Sequence, residues 1–97
     1  MRGVDLAIYA DALAGESASI AARAERAQSR LRQAAIEKRA RAGLSGTAVE
    51  RLEALGLLGS VDERATRAEL RELEASLDAL EELQAWVERE LAEASAA

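Results

Sequence analysis

The sequence predicts an all-α fold: a long antiparallel helical hairpin, coiled-coil-like, with a short third helix at its tip, completed as a dimeric four-helix bundle. Three observations predict it. Leu70, Leu73, Leu77, Leu80, Gln84, Val87, Leu91 and Ala94 alternate spacings of three and four residues, which draws one narrow apolar seam along a helix. Two segments with the pattern of a helix start, Thr47-Ala48-Val49-Glu50 and Ser60-Val61-Asp62-Glu63, each follow a glycine that suits a helix stop. Proline is absent from all 97 residues, so nothing breaks long helices from within.

The first helix is expected over about 4–42, with Gly15 its weak point. Ala10, Leu13, Ser17, Ile20, Ala24, Ala27, Leu31 and Ala34 repeat the three-four spacing, and their small side chains let a neighbouring backbone come close. Past Ala34 the continuing positions fall on Lys38 and Arg41, so the stripe either turns onto Ile36 and Ala40 or ends. Gly43 is expected just beyond the helix end, after Arg39 and Arg41 near the negative end of the dipole.

The short helix is expected over about 48–55, opened by a capping box in which the Thr47 hydroxyl accepts a backbone N–H and Glu50 reaches back. Val49, Leu52 and Leu55 are assigned to one side of it. Gly56 is expected to end it, with Leu57 returning toward Leu52 in a Schellman-type stop. The Ser60 box then opens a helix over about 61–93, with 94–97 fraying, and the whole of 1–97 forms one helical domain.

Composition narrows the chemistry. Alanine supplies half of the 49% hydrophobic content, and Tyr9, Trp86 and no phenylalanine make up the aromatics, so the core is thin. A two-layer hairpin leaves one side of each long helix uncovered, which calls for a homodimer or another helical protein partner. Tyr9 and Trp86 fall in the same half of an antiparallel hairpin, as packing residues or as an anchor for a partner. Gln84 at a seam position either fixes register or reaches solvent at the seam edge.

Cysteine and histidine are both absent, which removes the usual ligands for zinc, copper and haem and the commonest general base. No nucleophile, base and orienting group assemble from what remains, so no enzymatic activity, cofactor, metal or small-molecule substrate is expected. Glu81, Glu82, Glu88, Glu90 and Glu93 read as a solvated face rather than a cation site. Asp5 and Asp11 interrupt the only apolar stretch near the N-terminus, so neither a signal-peptide core nor a membrane span is expected, and the location is taken as cytoplasmic.

Charge is segregated. Residues 1–48 carry eight basic and five acidic side chains, whereas 49–97 carry five basic and thirteen acidic. Arg23, Arg26, Arg30, Arg39 and Arg41, with Arg32 and Lys38, are the candidates for gripping an anion or a nucleic-acid backbone. The competing reading pairs this block with Glu69, Glu72, Glu74 and Asp78, and no aromatic side chain lies among the arginines to stack on bases. Leu44, Leu57 and Leu58 form an apolar tip that either buries the short helix or docks a partner.

At Leu44-Ser45-Gly46 the chain resembles the small WXG-type helical hairpins exported by ESX secretion systems, with leucine where that family has tryptophan. The resemblance covers length, turn position and Gly46, and it implies a dimeric four-helix bundle. Gly56, Gly59 and the basic block depart from that pattern, and the C-terminal tyrosine-based export signal is missing. The residues themselves favour a non-catalytic interaction or scaffolding module. Its seam is Leu13, Ile20, Ala24, Ala27, Leu31, Leu70, Leu73, Leu77, Leu80, Gln84, Val87 and Leu91.

Overall fold

The structure, a computed structural model, describes residues 2–59 and 61–96. Among them it contains helices and no strand: α1 (Arg2–Gly43), α2 (Gly46–Ala54) and α3 (Glu63–Ala96). The all-α class holds, and α1 and α3 pack against each other. The chain falls into two compact units, Met1–Ala24 with Arg71–Ala97, and Glu25–Leu70.

In the first unit the N-terminal part of α1 meets the C-terminal part of α3. Leu13, Ala24, Leu73 and Val87 are buried there, Val87 to 1% of its free exposure. Leu6, Ala10, Ser17 and Ile20 of α1 and Leu77, Leu80, Leu83, Gln84 and Leu91 of α3 are half-buried beside them. This seam is the amphipathic pattern made physical: residues three and four apart share a face and lose water together. Gly15 lies within α1 and interrupts nothing.

The second unit holds the rest of α1, all of α2 and the start of α3. Ala27 and Ala34 are its buried apolar side chains, and Glu37 and Thr66 are buried with them. The inward stripe of α1 ends in an unexpected way: it turns onto Glu37 and Ala40, while Ile36 stays 67% exposed. The face of α1 that points inward changes because its neighbour changes. Past Ala34 that neighbour is the connection around Gly59 and Val61 rather than the body of α3.

Four helix ends differ from the sequence reading. Gly43 is the last residue of α1 and not a left-handed stop; Leu44 N–H still bonds Ala40 C=O at 3.0 Å. The cap of α2 is Ser45, whose hydroxyl accepts from Ala48 N–H at 3.2 Å, so α2 starts at Gly46 and Thr47 lies inside it. A side-chain acceptor suffices at a cap; the glutamate of a full box is optional, and Ser45 stands two residues ahead of Thr47. For α3, Ser60 lies outside the described residues, and the cap is Asp62, accepting from Ala65 N–H at 3.0 Å. Its carbonyl also takes Thr66 N–H at 2.9 Å and the Thr66 hydroxyl at 2.8 Å. At the other end α3 continues through Ala94, Ser95 and Ala96, where frequent alanine sustains helix.

The stop of α2 is the Schellman arrangement the sequence implied. Gly56 has φ +74°, its N–H bonds Glu53 C=O at 3.0 Å, and Leu57 N–H bonds Leu52 C=O at 2.9 Å. Leu55 does not share the inward face of Val49 and Leu52: it is the C-cap and is 66% exposed. Steps of three residues fall roughly 60° short of a full turn, so two of them carry a side chain well around the helix.

Candidate functional site

The twelve seam residues divide by unit. In the first unit Leu13, Ala24, Leu73 and Val87 are buried, and Ile20, Leu77, Leu80, Gln84 and Leu91 are half-buried. In the second unit Ala27 is fully buried, and Leu31 and Leu70 are half-buried. Gln84 is half-buried and lines a surface groove with Ala10, Leu13, Ala14, Val87 and Glu88.

Outside the seam, large apolar side chains remain on the surface. Val4, Ile8, Tyr9 and Trp86 in the first unit are 62%, 64%, 45% and 46% exposed. Trp86 forms one wall of a surface depression with Ala79, Glu82, Leu83 and Arg89. At the tip, Leu44 and Leu57 are exposed and Leu58 is half-buried. Leu55 joins the exposed pair, and the sequence reading missed it by placing that residue on the inner face.

The basic candidates separate into free and engaged. Arg30 pairs with Glu69 across α1 and α3 at 3.1 Å, the one of the four expected acidic partners that pairs with the block among the described residues. Arg41 is half-buried: its Nη2 donates to Gly59 C=O at 2.7 Å and its Nε to Glu53 at 3.4 Å. Arg32 pairs with Glu25 on the same helix at 3.1 Å. Arg23, Arg26 and Arg39 are exposed and, among the described residues, pair with no carboxylate. Arg39 follows Arg30 by nine residues, roughly two and a half turns at 3.6 per turn, and so lies on the opposite side of α1. The five arginines therefore form no single phosphate-binding stripe, and Arg41 is occupied within the fold.

What the sequence reading missed is the role of Glu37. Only 5% exposed, its carboxylate accepts from the Gln33 amide at 3.1 Å and from Gly59 N–H at 3.2 Å. Glu37 and Arg41, one turn apart on α1, thus hold the two sides of a single glycine, one accepting its N–H and the other donating to its C=O. The Gln33 hydrogen bond, then the Gly59 N–H, and then the Arg41 charge lower the Glu37 pKa below its usual 4.5, against the opposing effect of burial. The available signal was Glu37 and Arg41 at i,i+4, immediately where the apolar stripe fails.

Among the described residues no group of three or more His, Cys, Asp or Glu is placed to hold a metal ion, and no helix is long and apolar enough to cross a membrane. The chain matches no protein-family model, no curated protein and no solved structure.

Proposed function

We propose that the chain is a non-catalytic helical interaction module that self-associates, covering the outer edge of its Leu/Ala seam and the apolar residues beside it. One observation carries this reading. Among the described residues the buried apolar side chains are three alanines, two leucines and one valine, which is little for a domain of this length. Leu70, Leu77, Leu80, Leu83 and Leu91, each half-buried, are where a covering helix would gain most.

Sedimentation equilibrium tests the reading. A dimer at micromolar concentration is the expected result, with a melting temperature that rises with protein concentration. Leu77→Glu should unfold the chain or leave it monomeric. A wild-type monomer whose cooperative melting is independent of concentration would overturn the proposal.

A further inference from the structure

The two units carry opposite charge. Residues 1–24 and 71–97 hold eleven acidic and four basic side chains, net −7, whereas residues 25–70 hold seven acidic and nine basic, net +2. Within the second unit the α1 stretch 25–43 is the basic element, with six basic against two acidic side chains. Two copies that met acidic unit to acidic unit would set like charges against each other; an offset meeting sets the acidic unit of one copy on the basic α1 stretch of the other.

Each of those surfaces carries apolar side chains. On the acidic unit it is the depression lined by Ala79, Leu83 and Trp86 together with Glu82 and Arg89, and Glu93 follows Trp86 by two turns. On the basic stretch Ile36 stands 67% exposed, with Arg32 one turn before it and Arg39 one turn after. A half-exposed tryptophan is among the side chains that most often anchor an interface, and arginine is favoured over its ring face. We propose that the occupant of this depression is a second copy of the chain, which seats Ile36 against Trp86 and Leu83 and brings Arg39 to Glu82. The inference rests on the self-association proposed above and gives it an orientation and a contact.

Trp86 is the only tryptophan, so its emission reports the depression directly. In low salt, the emission of the wild-type chain should shift to shorter wavelength as concentration rises through the association range. Ile36→Glu, at an exposed position that leaves helicity intact, should weaken association roughly tenfold or more and remove the shift. Arg39→Glu and Glu82→Arg should each weaken association, and the double variant R39E/E82R should recover it. A wild type that stays monomeric with unchanged emission overturns self-association and this contact together. A wild type that associates while Ile36→Glu and the charge variants leave association unchanged overturns the contact alone. An emission shift seen only on adding a basic amphipathic peptide, without self-association, assigns the depression to a different partner and also overturns the inference.

Discussion

The two units of the chain are held by different physics. Residues 1–24 with 71–97 are held by an apolar seam, where Leu13, Leu73 and Val87 bury the large side chains. Residues 25–70 bury only alanine among apolar side chains and rely on directed polar contacts: Glu37 and Arg41 on Gly59, Gln33 on Glu37, Arg30 on Glu69, and the caps Ser45 and Asp62. Apolar burial is non-directional and tolerates rearrangement, whereas each hydrogen bond is lost outright when one partner goes. The difference implies that the first unit should fail through lost volume and the second through lost partners.

The largest effect is expected in the seam. Leu73→Ala should cost about 2–5 kcal/mol, the range for truncating a buried leucine, and circular dichroism melting should show it as loss of most cooperative unfolding. Failure to destabilise would mean that the apolar seam does not hold the first unit. Next comes Glu37→Ala, which leaves Gly59 N–H and the Gln33 amide without their acceptor. Amide hydrogen exchange should report faster exchange across the α2–α3 connection, with residues of the first unit much less affected.

Acid sharpens the same contrast. Because the native pKa of Glu37 lies below its usual 4.5, the unfolded chain binds the proton first as pH falls. The stabilisation from this group is therefore complete above the unfolded pKa and disappears as pH drops through the lower native value. Melting of wild type and Glu37→Gln should differ near neutral pH and converge in acid, and curves that stay parallel down to pH 3 would contradict the assignment. Smaller still, Gly56→Ala should cost about 1–2 kcal/mol because φ +74° is left-handed, although no atom crowds the position. Least of all, a double-mutant cycle on Arg30 and Glu69 should give roughly 0.2–1 kcal/mol, shrinking with salt, since both side chains are nearly half exposed.

The same division decides how much was legible in the sequence. The seam, the three helices and the left-handed Gly56 followed from period and from glycine placement, because apolar periodicity records which face loses water. The caps were misplaced because two acceptors compete at each start: Ser45 precedes Thr47, and Asp62 follows Ser60. Choosing between acceptors separated by two residues requires knowing where the preceding turn leaves the chain. The grip on Gly59 was invisible for a related reason. Hydrogen bonds between Glu37 and a residue 22 positions away depend on how the connection folds back, and no local pattern encodes that. The exposure of Trp86 and Ile36 was likewise hidden, since flanking a seam and covering it look alike in one dimension.

The grip on Gly59 also bears on how two copies of such a chain can meet. Helical hairpins can dimerise by trading an arm: the connection straightens and the third helix of each copy lies on the first helix of the other. Here straightening would tear Gly59 away from a carboxylate and a guanidinium at once, both of them charge-assisted bonds. The connection is latched shut, which sets a cost against any exchange of arms between copies of this chain.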